Sequence, residues 1–249
     1  MELDTIISLL DLPETDAVAL PLIPTVASIY AVAMPEERSF DRWFEADKKA
    51  RGFGYIALGL GDDNALNGLQ QHLSQIDSWD VLAERRLAED VDVEDWFNQE
   101  ETMLISDGDD LPLGTWPADL RPKRSGVWFP FDREGNHLNP WWMLLVPAGE
   151  SWSVPLSLAY GNWNDCPPAH VHAAICKRWE ASHCAYLVAV GPDTIEFRVE
   201  RSPSTRTAAL TLAREHYLYC ADIVDQGIGS ISALAAHLID NSVWSFWWD

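Results

Sequence analysis

Apolar residues along this chain fall into short blocks, and the spacing inside each block separates strands from helices. Residues 26–34 form an apolar run of strand length. Ser39 can cap a helix running to about Arg51, with Phe40, Trp43 and Phe44 on one side. Residues 55–60 predict a second buried strand, and residues 64–76 a helix with Ala65, Leu69, Leu73 and Ile76 on its stripe. The N-terminal part therefore reads β-α-β-α. Short helices are expected within 77–110, one of them around 93–103 with Trp96 and Phe97. Pro, Gly and Asp make 107–126 a loop or linker. Residues 127–131 and 141–146 predict two strands joined by turn residues at 132–136.

The C-terminal pattern is sharper. Residues 154–159 read as a strand. Asp165 or Cys166 then caps a helix whose first turn takes Pro167 and Pro168, with Val171, Ala174, Ile175 and Trp179 on its apolar stripe. Residues 185–190 and 194–201 form a hairpin around Gly191-Pro192-Asp193. On its second strand Ile195, Phe197 and Val199 alternate with Glu196, Arg198 and Glu200, which predicts one wet face. Thr205 and Ser230 each open a helix, the first with Ala209, Leu212, Ala213, His216, Tyr217 and Cys220 on its stripe. Residues 243–248 end the chain as a strand apolar on both faces, so both need cover, and the N-terminal part is the obvious source. The order β-α-β-β-α-α-β is that of the ferredoxin-like split β-α-β plan. The expected fold is α+β: a ferredoxin-like C-terminal domain, 151–249, packed as one body with a variable acidic α/β segment, 1–150.

Charge narrows the function classes. The formal net charge is -22, and residues 77–110 alone carry 13 acids against Arg85 and Arg86. Such a chain repels phosphate backbones, which argues against nucleic acid, and attracts basic proteins. The start of the chain has no basic segment followed by an apolar one, and no run approaches the ~18 apolar residues of a membrane span. The 4 cysteines have no framework spacing, which suits a reduced, cytoplasmic protein. No membrane association is expected, and oligomeric state is left open.

Three motifs stand out: Gly161-Asn162-Trp163-Asn164-Asp165-Cys166-Pro167, Glu215-His216-Tyr217-Leu218-Tyr219-Cys220, and the closing Phe246-Trp247-Trp248-Asp249. Together they resemble the bacterial domain-of-unknown-function family 4253 over about the last 95 residues. The resemblance implies no reaction and no catalytic residues.

The chemistry must therefore be weighed residue by residue. Cys166 at a helix N-terminus would have a favoured thiolate, with His216 or His172 as base, against a plainer reading as a small capping-turn residue. His216 lies on an apolar stripe, where a core histidine is the simpler reading. Glu215 could meet Asn164 or the Trp163 indole and join two motifs in a polar clasp or a site. Asp249 adds a side-chain carboxylate near the chain end and calls for an arginine, Arg178 or Arg214. Cys166, His170, His172, Cys176, His183 and Cys184 lack a C-x-x-C pair, so no metal is expected. Gly59-Leu60-Gly61-Asp62-Asp63-Asn64 follows a strand, but its aspartates would repel a pyrophosphate, and no cofactor is implied. The leading reading is a cytoplasmic binding protein, immunity-like in neutralising a basic protein partner. Its binding residues would be Trp96, Glu94 and Asp95 on the acidic stretch, with Trp163, Asn164, Asp165, His172, Trp248 and Asp249 around the motifs. The alternative is an enzyme with a small polar cleft where 161–167 meets 215–222, using Cys166 as nucleophile.

Overall fold

A computed structural model describes residues 7–8, 16–34, 39–106, 108, 110–118, 127–132 and 134–249. The strands are β1 (Ala17–Ala19), β2 (Tyr30–Met34), β3 (Tyr55–Gly61), β4 (Trp141–Pro147), β5 (Ala185–Val190), β6 (Thr194–Val199) and β7 (Val243–Trp247). The helices are α1 (Ser39–Arg51), α2 (Asp63–Ser74), α3 (Val81–Asp90), α4 (Val93–Ser106), α5 (Val154–Ser157), α6 (Ala169–His183), α7 (Arg206–Tyr219) and α8 (Ile231–Leu238). The N-terminal β-α-β-α pattern is present as β2, α1, β3 and α2. The side chain of Phe40 lies outside the described residues.

The strands form a 7-stranded sheet in the order β1-β2-β4-β3-β5-β6-β7. Neighbours are antiparallel except β3 and β5, which run parallel through Gly59 and Ala189. The fold is α+β, but the strand order is not ferredoxin-like. The split β-α-β plan would return the last strand beside the first, whereas β7 pairs with β6 at the sheet edge. β3, from the N-terminal segment, lies between β4 and β5, so both parts of the chain build one sheet.

Two local expectations are corrected. Residues 154–157 are helical rather than extended, with Pro155 in the first turn, where its missing N–H costs nothing. Trp128–Phe131 is a loop, joined by the isolated bridge Phe131–His137 across the expected turn at 132–136.

The sheet is covered unequally. One face carries the larger core, with Leu66, Leu69 and Leu73 of α2, Trp179 of α6, Leu212 of α7, Leu234 of α8 and Trp244 and Phe246 of β7. Buried Ala88 of α3 and Phe97 of α4 join that core. The other face holds a smaller core under α1, built on Trp43, Trp141, Met143, Leu145 and Phe129. Gly59 makes room there, since a Cβ on it would lie within 2.1–2.5 Å of the Phe129 ring. Caps follow the sequence signals: the Thr205 side chain accepts from Ala208 N–H and that of Ser230 from Ala233 N–H. Among the described residues, no helix is long and apolar enough to cross a membrane.

Candidate functional site

The three C-terminal motifs meet behind the end of β7. Cys166 Sγ lies 3.3 Å from His172 Nε2, and His172 Nδ1 lies 2.6 Å from the Tyr219 hydroxyl. The rings of Tyr160, Tyr219 and Trp248 each stand edge-on to the His172 ring, at 5.3–5.4 Å. Gly161 is required at its position. Its φ is +97°, and a Cβ there would approach Pro167 O to 1.9 Å and His172 Nε2 to 2.8 Å. Asn162 and Asn164 also take positive φ, a conformation asparagine tolerates. Cys220 Sγ donates to Trp247 O, Asn164 Nδ2 to Asp249 O, and Asp249 N–H to Asp222, so the chain end is fastened on both sides.

This arrangement has the connectivity of a nucleophile, a base and an orienting group, but not the charge state. Cys166, His172 and Tyr219 are all buried. Burial pushes the Cys166 thiol up, with Cys220 adding to the effect, and pushes His172 down to about 3. Helix α6 starts at Ala169 with Pro168 as its N-cap, so Cys166 precedes the helix rather than capping it. The expected help from helix N–H groups is therefore outweighed by desolvation. The trio reads as a neutral internal clasp.

The other candidates separate. His216 is buried among Trp179, Trp244 and Phe246, with ring centroids 4.6–4.8 Å away, and burial drives its pKa well below the usual value. Glu215 does not reach Asn164 or Trp163; it accepts from Trp179 Nε1 at 3.0 Å and Arg178 at 2.9 Å. Arg178 also binds Glu94, and Arg214 binds Glu101, so neither arginine serves Asp249. Trp163 is half-buried against Tyr160 and His72, while Asp165 is exposed; burial raises the pKa of Glu100, and the charge of Asp165 adds to it. His170 pairs with Glu84. Among the described residues no group of three or more His, Cys, Asp or Glu side chains is placed to hold a metal ion. In the Gly59–Asn64 segment, Asp62 caps α2 and Asp63 accepts from Trp142 Nε1 at 2.7 Å.

The acidic helices α3 and α4 lean on the C-terminal domain through Glu84–His170, Glu94–Arg178 and Glu101–Arg214. Trp96 is half-buried, edge-on to Phe97 at 5.2 Å. Asp90 and Asp95 face solvent, as do Leu82, Leu87, Met103 and Ile105, the last at 57% exposure.

On the opposite sheet face, the 127–138 loop covers β6 and β7 incompletely and leaves a cavity of about 650 Å³. It opens at the C-terminal ends of the parallel pair β3 and β5, at Gly61 and Gly191. Both strands bulge here, between Gly59 and Gly61 and between Leu187 and Ala189. Sequence alternation places Glu196 on a wet face, yet it is only 7% exposed. Its two oxygens share the Trp128 backbone N–H at 2.9 and 3.0 Å, the Phe129 backbone N–H also donates to it, and Ser245 Oγ donates from 3.4 Å. Burial raises its pKa to about 7, opposed by those hydrogen bonds. This residue was missed because alternation tells which face a side chain takes, not whether a distant loop covers it.

Fold and motifs together define an α+β domain clasped at its C-terminal strand. Residues 142–249 match the family model described as a domain of unknown function (DUF4253), and this C-terminal domain is a member of that family. The match takes in β4 as well as the residues from 151 onward. No curated protein and no solved structure matches the chain significantly.

Proposed function

We propose that the protein is a cytoplasmic binding module that engages and neutralises a basic protein partner, as an immunity protein would, through the outer face of α3 and α4. The observation that carries this reading is the pairing of solvent-facing acids with exposed Leu82, Leu87, Met103 and Ile105 on the same two helices. Acids steer a basic partner in, and large apolar side chains hold it once water is excluded. Glu94 pairs with Arg178 at the surface and stays exposed, and Trp96 is half-buried, so Asp90, Asp95 and the exposed apolar residues join Glu94 on this face. The 4 cysteines are free, in keeping with a reducing compartment.

The test is reconstitution with a basic partner recovered from source-cell lysate at about 150 mM salt, where the Debye length is ~8 Å. Purified partner should form a stoichiometric complex that weakens with salt. Leu82→Ser and Leu87→Ser combined with Asp90→Lys and Asp95→Lys should abolish it. A complex untouched by that variant would remove this surface from the reading. The enzyme alternative has a specific support in the Cys166–His172 contact, but that pair is sealed from substrate and held neutral.

A further inference from the structure

We propose that the cavity over β6 and β7 binds an organic cation, a primary amine or a guanidinium, with its charged head on Glu196 and its apolar part against Trp128, Phe131 and Trp247. The proposal is independent of the reading above, since the cavity lies on the sheet face opposite α3 and α4.

Four observations carry it. An ionised carboxylate offers about four acceptor sites. Glu196 fills three of them, with the backbone N–H groups of Trp128 and Phe129 and one long hydroxyl contact, although it is only 7% exposed. A buried carboxylate with acceptor capacity left over at a cavity wall is matched by a ligand that brings a further donor and a positive charge. Next, Asp62, Asp132 and Glu134 also line the cavity. Then, Trp128, Phe131 and Trp247 line the cavity, and aromatic rings are surroundings that stabilise organic cations. Finally, no carboxylates converge to hold a metal among the described residues, whereas a volume of about 650 Å³ is that of a small-molecule pocket. The place is also apt: ligands of mixed α/β sheets gather at the C-terminal ends of parallel strands, and bulges cluster beside such sites.

The test is calorimetric titration of the full chain with butylammonium and butylguanidinium, with butan-1-ol and butanoate as neutral and anionic isosteres. Saturable binding is expected of the two cations alone. Glu196→Gln keeps an acceptor for the Trp128 N–H and should weaken cation binding about tenfold or more, the weight of a hydrogen bond to a charged group. Trp128→Ala is a second variant that does not threaten the core, because that side chain is 56% exposed, and it should weaken binding several-fold by the loss of cation–π contact. A short peptide with a single lysine distinguishes the sources of the cation. Tighter binding than butylammonium assigns the head group to a protein side chain, and equal or weaker binding assigns it to a free amine. The proposal is overturned if no cation binds, if butan-1-ol or butanoate binds as well, or if both variants retain full affinity.

Discussion

His172 and Glu196 are both buried titratable side chains, yet their surroundings differ in kind. His172 is enclosed by Tyr160, Tyr219 and Trp248 and has a partner at each ring nitrogen, Cys166 and Tyr219. Glu196 is covered by a single loop whose Trp128 and Phe129 N–H groups it accepts from, and it borders an open cavity. The last strand divides the two: Trp248 packs into the clasp, while Trp247 lines the cavity. The three C-terminal motifs therefore build the closed region. The open region is built partly from β3 and the loop before β4, both of which lie outside the family match.

If the clasp is structural, breaking it should cost stability before anything else. Trp248→Ala removes an indole that is 3% exposed, and it should cost about 3–5 kcal/mol in urea unfolding. A loss below about 1 kcal/mol, within the range of an ordinary surface substitution, would contradict the assignment of the motifs to a clasp.

The open region makes the opposite prediction, because its carboxylate opposes folding when charged. The folded pKa of Glu196, about 7, lies above the ordinary 4.5. Its protonated form is favoured in the fold, so the stability it contributes is present below pH 4.5 and is lost as pH rises through about 7. Glu196→Gln should therefore gain stability relative to the wild type as pH rises from 5 to 8, by on the order of 2–3 kcal/mol. A flat difference across that window would mean that Glu196 is solvated like a surface acid. The facing groups Asp62, Asp132 and Glu134 are acids. Hydrogen bonds from Asn136 lower the pKa of Asp132, so it stays ionised over this range. Cation binding should follow the same titration, strengthening with pH up to about 7 and then levelling.

Within the clasp, Tyr219→Phe deletes the hydroxyl 2.6 Å from His172 Nδ1 and leaves that nitrogen buried without it. The expected loss is about 1–3 kcal/mol, smaller than for Trp248→Ala because packing survives. Equal losses for the two variants would show that the hydrogen bond, not the aromatic packing, dominates.

Sequence legibility divides along the same line. The caps at Thr205 and Ser230, the hairpin after Ala185 and the two-faced apolar ending at β7 follow from local rules, and each is present. Residues 154–159 were misread because a short apolar run has no period that separates strand from buried helix, and Pro155 fits a helical first turn. The ferredoxin-like order failed because strand pairing is nonlocal, and nothing within 151–249 announces that β3 enters between β4 and β5. The motifs offer either His216 or His172 as the partner of Cys166, and local rules do not choose between them; the Gly161 turn brings Cys166 to His172. Glu196 was legible as to face and illegible as to cover.

The smallest expected effect is the sharpest test of the enzyme alternative. Cys166 is 3% exposed and its thiol is pushed up by burial, so its reaction with iodoacetamide in the native protein should be governed by unfolding. Cys184, which is partly exposed, provides an internal standard in the same chain. Mass spectrometry after brief labelling at pH 7.5 should find Cys184 modified and Cys166 untouched, and both should react in denaturant. Tyr219→Phe should speed Cys166 labelling only as far as it lowers stability, because opening rather than thiolate formation controls access. Selective native-state labelling of Cys166 ahead of Cys184 would overturn the clasp, since a sealed neutral thiol cannot outrun an accessible one. It would make the Cys166–His172 pair reactive and move the search for function from the open cavity to the motifs.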